Sequence, residues 1–256
     1  MKNKKQKQKR TINITVYIIL RFLVIVCMTG QVIRGNWNNV FLCFLTLLLF
    51  TIPTLIDRAL KIKLPSTLEI IIYLFIFAAE ILGEIQNFYG IFRHWDTILH
   101  TLNGFLMGAI GFSLIDILNR RKVFQMNLSP FFVSLFAFCF SMTIGVLWEF
   151  GEFGLDRYFY KDCQKDRIVE TVVSTTIDEN NEKVVLNDIT KAKIYSDDNQ
   201  VTVIDGYLDI GLIDTMKDLF VNFLGAIVFS GLGYFYIKNR EGYKFIEIFL
   251  PRLKEV

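Results

Sequence analysis

Carboxylates and one imidazole recur at helical spacing inside apolar stretches of this sequence. Glu80 and Glu84 are four residues apart. Asp96 and His100 are also four apart, with Asn103 following at i+7. Glu149, Glu152 and Asp156 run i, i+3, i+7, and Asp214, Asp218 and Asn222 run i, i+4, i+8. On a helix of 3.6 residues per turn the first three sets keep to one face, and the last is a stripe that slowly drifts around the helix. Ionisable groups within hydrocarbon are costly and read as functional by default. Acids with a single imidazole suit a hard or borderline divalent ion such as Mg, Mn, Ca or Zn. We take Glu80, Glu84, Asp96, His100, Glu149, Glu152 and Asp218 as candidate ligands of a metal or cationic group. Arg21, Asn103, Asp156, Asp214 and Asn222 are supporting residues, and Glu149 and Glu152 are candidates for a catalytic base.

The elements that must carry these residues are apolar runs of about 20 residues, the length that crosses ~30 Å of hydrocarbon. Six are legible, at 12–33, 40–60, 67–87, 96–118, 130–153 and 213–237. Backbone groups in lipid need internal partners, so the runs must be helices, and they lack the alternation of a β-barrel. The chain has 256 residues, 53% of them hydrophobic and 15% aromatic, with 25 Phe, which excludes a disordered, collagen-like or disulfide-stapled chain. A net charge of +3 is only weakly basic. The basic residues flank apolar runs, which reads as membrane flanks and not a nucleic-acid surface.

Lys and Arg in the tails and short loops give an orientation. Lys2 to Arg10, then Arg58, Lys61 and Lys63, then Arg120, Arg121 and Lys122, then the residues from Lys238 to Lys254 place 17 basic residues on one side. Only Arg34 and Arg93 occupy the two short loops opposite. Both termini are therefore expected in the cytoplasm, with a retained first span: Arg21 interrupts it and no small-x-small cleavage pattern follows.

Residues 158–212 turn polar and acidic between the fifth and sixth spans, hence outside. Segments 167–177, 183–195 and 200–207 have strand character. Asp178 to Asn181 and Asp197 to Asn199 supply turns. The expected fold is an all-α polytopic membrane protein of six transmembrane helices with a small β-rich insertion. Its order is a basic tail at 1–11, spans one to five at 12–157, the insertion at 158–212, the sixth span at 213–237 and a tail at 238–256. Cys27, Cys43 and Cys139 fall in spans, Cys163 lies outside them, and no CxxC occurs.

Counting rise along each run sets a depth. Glu80 and Glu84 lie ~20 and ~26 Å above residue 67, His100 lies ~6 Å below Asp96, and Asp218 and Asn222 lie ~6 and ~12 Å below Asp214. All four stripes converge on the outer third of the membrane. Eight carboxylates there face few cations: Arg21, Arg93, Arg157 and Lys217. Protonation, water or a metal ion must relieve them. Asp96, Asp156 and Asp214 also suit helix ends at the water interface, and His94 with Trp95 suits an interfacial belt. Gly104, Gly108 and Gly111, like Gly225, Gly231 and Gly233, fit close helix packing.

Three elements occur in a recognisable order: Asp96 to His100 followed by Gly104, then Trp148-Glu149-Phe150-Gly151-Glu152, then Asp214 to Asp218 followed by Asn222 and Gly225-Ala226. They resemble the D-x-x-x-H, W-E-x-x-E and D-x-x-x-D elements of YjdF-like bacterial inner-membrane proteins. The first and last are also similar to those of VanZ-like proteins, linked to glycopeptide resistance. The resemblance spans helices three to six and implies a bacterial cytoplasmic-membrane protein, with membrane lipids as neighbours, but supplies no reaction. The insertion at 158–212 is longer than that pattern's usual connection. The function read here is an outer-leaflet acid/His pocket for a divalent or cationic ligand. Metal-dependent hydrolysis or transfer on a lipid or envelope precursor, ion-coupled transport, and a scaffold whose insertion meets a protein partner remain open alternatives.

Overall fold

The structure is a computed structural model that describes residues 2–59, 62–120, 127–197 and 200–253. Lys61, Arg121, Lys122 and Lys254 of the charge pattern, and Asp198 and Asn199 of the second turn, lie outside the described residues.

The first helix, α1 (Lys2–Ile33), takes in the basic stretch and the first apolar run. It ends where Gly35 adopts φ +70°, a left-handed conformation that costs glycine little, and the N–H groups of Gly35 and Asn36 close back on Val32 and Gln31. Asn36 then caps α2 (Trp37–Leu49) by accepting from the Asn39 N–H. The second expected span is interrupted. The helical ladder breaks at Phe50-Thr51 and resumes as α3 (Ile52–Ala59), in which Pro53 cannot donate a backbone hydrogen bond.

The third expected span is also irregular. Following Pro65, α4 (Ser66–Ile76) runs directly into a π-helix over Phe77–Ile85, which closes with an i→i+5 bond from Gln86 N–H to the Ile81 carbonyl. A short helix, α5 (Phe88–Ile91), leads into α6 (Trp95–Arg120). Pro130 opens α7 (Pro130–Phe159), a position where its missing N–H costs nothing, and Ser129 Oγ accepts from the Phe132 N–H. The last long helix is α8 (Leu212–Lys238).

Among the described residues, five stretches are long and apolar enough to cross a membrane: Ile12–Ile33, Trp37–Ile56, Trp95–Asn119, Pro130–Phe159 and Leu212–Lys238. The expected third span, 67–87, is not among them, because its α-helix gives way to the π turn. Large apolar side chains stay exposed along the helices, Phe22, Phe44, Phe131, Phe150 and Phe220 among them. A surface of that kind suits lipid.

The chain divides into two units. The first comprises Met1–Gly145 and Val221–Val256. It holds two apolar cores. Leu20, Val24, Cys43, Phe50, Tyr73, Ile76 and Ile81 join α1, α2, α4 and the π-helix. Ala109, Phe112, Ile115, Val133, Ala137 and Phe229 join α6, α7 and α8, together with Ile246 and Leu250 of the C-terminal segment. That segment reads in sequence as a basic tail. It folds back as a 3-10 helix, Lys244–Ile248, and its strand β8 (Arg252–Leu253) pairs antiparallel with β1 (Ile62–Lys63).

The second unit, Val146–Phe220, contains the end of α7, the strand-bearing segment and the start of α8. Its strands are β2 (Ile168–Val169), β3 (Val172–Ser174), β4 (Val184–Leu186), β5 (Ala192–Tyr195), β6 (Val201–Ile204) and β7 (Tyr207–Leu208). β3 pairs with β4 and β5 with β6 as antiparallel hairpins, while β2 pairs with β7 and closes the segment. The expected first turn is present: Asp178 accepts from the Asn180 and Glu182 N–H groups, and Asn181 adopts φ +57°.

Candidate functional site

Asp96 enters α6 in its first turn, where a carboxylate complements the helix dipole. One turn on, His100 Nε2 lies 3.3 Å from Asp96 Oδ1, and the imidazole is nearly buried. The i, i+4 spacing thus brings these two expected ligands together. Trp95 anchors the start of the helix by donating from Nε1 to the Ala78 carbonyl of the π-helix at 3.3 Å. That π-helix carries Glu80, half-buried, and Glu84, exposed.

The first of the supporting amides has a defined partner. Asn103 Nδ2 donates to Asn222 Oδ1 at 3.1 Å, and Asn222 Nδ2 contacts Met142 Sδ at 3.7 Å. Ser141 Oγ donates to the Gly104 carbonyl at 2.7 Å. Helices α6 and α8 approach closely here, since a Cβ on Gly104 would collide with the Asn222 carbonyl and one on Gly225 with the Thr101 carbonyl. The sequence reading of these glycines as packing residues matches that geometry.

In the second unit Glu149 is 4% exposed and Glu152 accepts from Trp148 Nε1 at 2.8 Å. Asp156 holds the chain after α7 by accepting from the Cys163 and Gln164 N–H groups at 2.6 and 2.8 Å. Asp214 is buried, with Lys217 Nζ at 3.6 Å, Arg167 at 3.5 Å and the Lys165 N–H at 3.1 Å. Lys217 also reaches Asp218 at 3.3 Å. Asp156 and Asp214 therefore bond the chain that follows α7, Asp156 through the Cys163 and Gln164 N–H groups and Asp214 through that of Lys165. Arg167, absent from the sequence-based set of cations, is one of the Asp214 partners. It was overlooked because it lies far from any apolar run.

Asp209 does related work beside α8. It accepts from the N–H groups of Arg167, Gly211 and Ile213. Burial acts to raise its pKa, but these three donors and the Arg167 charge outweigh it and hold the carboxyl below its usual range. Asp166 moves the other way: burial raises it first, reinforced by the charges of Asp162, Asp209 and Asp156, against Lys165.

Two polar clusters in the first unit escaped the sequence reading. Glu69 accepts from Asn13 Nδ2 at 2.6 Å and from Tyr73 Oη at 3.1 Å, which ties α4 to α1. Nearby, Arg21 donates to Tyr17 Oη at 2.6 Å and stacks on that ring. At the far end of α6, Asp116 pairs with Arg240 at 3.2 Å, and Tyr236 Oη donates to Glu247. Glu69 and Asp116 both fall inside expected spans, the signal used for the outer acids. Each is a single residue with no acidic neighbour at i+3 or i+4, so neither forms a stripe.

Over residues 13–239 the chain matches the family described as "Predicted membrane protein (DUF2238)". A Thermotoga maritima protein described as "Uncharacterized protein" is 29% identical over 105 residues, covering 41% of this chain and 52% of that protein. The chain thus spans about half the length of the curated relative it matches. No solved structure matches it.

Proposed function

We propose a cation-binding role for this chain, which belongs to the DUF2238 family of predicted membrane proteins. Its D-x-x-x-H, W-E-x-x-E and D-x-x-x-D elements, and the YjdF-like resemblance they carry, are compatible with that membership. The observation that supports the reading is the 3.3 Å approach of Asp96 Oδ1 to His100 Nε2 on one face of α6. Two ligand-type side chains one turn apart can chelate a single ion. The approach also fits an imidazole oriented by a carboxylate, a common arrangement around bound metals. Glu80, Glu84, Glu149, Glu152 and Asp218 are the further carboxylates that counting of helical rise sets at this depth. A divalent ion would relieve the charge these acids place in a low-dielectric region.

The same reading puts both termini in the cytoplasm of a bacterial cell, six crossings in the cytoplasmic membrane, and the strand-bearing segment outside. Its support is the 17-to-2 distribution of basic residues. The sixth crossing would be α4 continued by the π-helix.

The test is metal content of the detergent-purified full chain after dialysis against Mn, Mg, Ca or Zn. Wild type should retain one of these ions, and His100→Ala combined with Asp218→Asn should lose it. Equal metal content in the folded double variant overturns the reading.

A further inference from the structure

A second polar system lies within the first unit, along the buried faces of α6, α7 and α8. At one end is the Asn103–Asn222 amide pair, with Asn222 1% exposed. Beside it the fully buried Ser141 hydroxyl meets the Gly104 carbonyl. Further along are Ser134 on α7 and Ser230 on α8, 8% and 7% exposed. At the other end the buried Asp116 is paired with Arg240. Asn103 and Asp116 are ~20 Å apart along α6 by helical rise, so the series covers most of a hydrocarbon layer.

Ser134 and Ser230, like Thr97 on α6, differ from the hydroxyls in these helices that close on their own backbone. Thr101, Ser113 and Thr143 each return the hydroxyl to the carbonyl four residues back. That is the common way to satisfy it inside a helix. The buried Ser134 and Ser230 oxygens have no hydrogen-bond partner among the described residues. An unmet buried hydroxyl is costly in protein and more so in lipid, and such groups are the ones that hold ordered water. Ser134 is seven residues before Ser141, about 20° round the helix, Ser230 is eight after Asn222, about 80° round, and all four are buried.

We propose that this series is a water-assisted proton path across the membrane, closed at one end by the Asp116–Arg240 pair. A serine hydroxyl or a water molecule can accept a proton on a lone pair and release its own to the next oxygen, so a proton passes with no net change in the carrier. The asparagine amides orient this chain without carrying the charge. Arg240 keeps its positive charge at all working pH and repels a bare proton at the exit.

The test uses the full chain in phosphatidylcholine vesicles loaded with a pH-sensitive dye, with a potassium gradient and valinomycin as driving force. Asp116→Ala combined with Arg240→Ala should pass protons several-fold faster than wild type, and adding Asn222→Leu should bring the flux back to that of protein-free vesicles. No flux above protein-free vesicles in either wild type or the opened variant, with both eluting as folded species, overturns the proposal. Water access is read separately in chains whose four native cysteines are replaced by alanine. Ser134→Cys and Ser230→Cys should react with a small water-soluble methanethiosulfonate, whereas Ala137→Cys, in the apolar core, should not. Labelling of both no greater than at Ala137→Cys also overturns it. Neither readout involves a divalent metal, so loss of the cation-binding reading would leave this one standing.

Discussion

Asp116 and Arg240 meet at 3.2 Å although they are 124 residues apart in sequence. One closes α6 and the other follows α8, so the contact fastens the C-terminal segment to a helix laid down in the middle of the chain. Arg240 also stacks on Tyr236, whose hydroxyl binds Glu247 of the same segment.

Removing Arg240 takes away the guanidinium that stands 3.2 Å from the buried Asp116 carboxylate. Arg240→Ala should destabilise the protein by roughly 1–3 kcal/mol, less than for a fully buried pair because Arg240 is partly exposed. Asp116→Ala with Arg240→Ala should cost less than Arg240→Ala alone. Thermal unfolding of the three variants in detergent checks this, and a cost that simply adds would show that the pair is not coupled.

The close approach of α6 and α8 should be intolerant of side chains. Gly104→Val places atoms where the Asn222 carbonyl stands, and separating two helix backbones costs about 1–3 kcal/mol or more. Gly151, with open space around its ideal Cβ, is the control, and Gly151→Ala should leave the melting temperature unchanged or raise it. Equal effects at the two positions would remove the packing argument.

Tyr73→Phe deletes the hydroxyl that Glu69 accepts from and keeps the ring between Tyr17 and Phe50. The expected loss is about 1 kcal/mol, in the range for one hydrogen bond. Asn13→Leu should cost more, because it removes a donor to Glu69 within a buried contact. Both are read from denaturation midpoints, with the opposite order counting against the cluster.

The strand-bearing unit should loosen in acid. The folded pKa of Asp209 lies below its unfolded value, so its contribution is complete above the unfolded value and disappears as pH falls through the folded one. Hydrogen exchange at the Arg167, Gly211 and Ile213 amides should therefore accelerate, relative to its intrinsic rate, at the acid end. Asp209→Asn should show fast exchange at neutral pH and little further change. A wild-type protein whose protection is flat through the carboxylate range would contradict this.

Much of the architecture is legible in the residues because lipid imposes a simple rule. Apolar runs gave the long helices within one to a few residues at most ends, and turn chemistry located the first hairpin at Asp178. What the runs conceal is how a backbone is hydrogen-bonded inside them. Nothing in Phe77 to Ile85 distinguishes i→i+5 from i→i+4 bonding, since both bury the same faces. Likewise Ile246 and Leu250 sit among charges and read as tail. Their burial depends on a cavity built by Phe112, Tyr236 and other residues far away in sequence.

For the site, stripes of like residues were visible and single residues were not. Asp96 with His100 stood out by spacing, whereas Asp116 has no acidic residue at i+3 or i+4 to make a stripe. Its partner Arg240 was counted among the basic residues of the tail. A pair formed across distant segments leaves no periodic trace in one sequence.

The closure of β2 against β7 has a practical consequence. Ile168 faces Leu208 and Val169 faces Tyr207, while the Arg167 N–H bonds the Asp209 carboxylate and the Asp209 N–H the Arg167 carbonyl. The excursion therefore departs and returns through one doorway. Everything between is a detachable cassette: an epitope or reporter exchanged for the β3–β4 hairpin, or a protease cut at its tip, would leave the doorposts latched, with α7 ending and α8 starting where they do now.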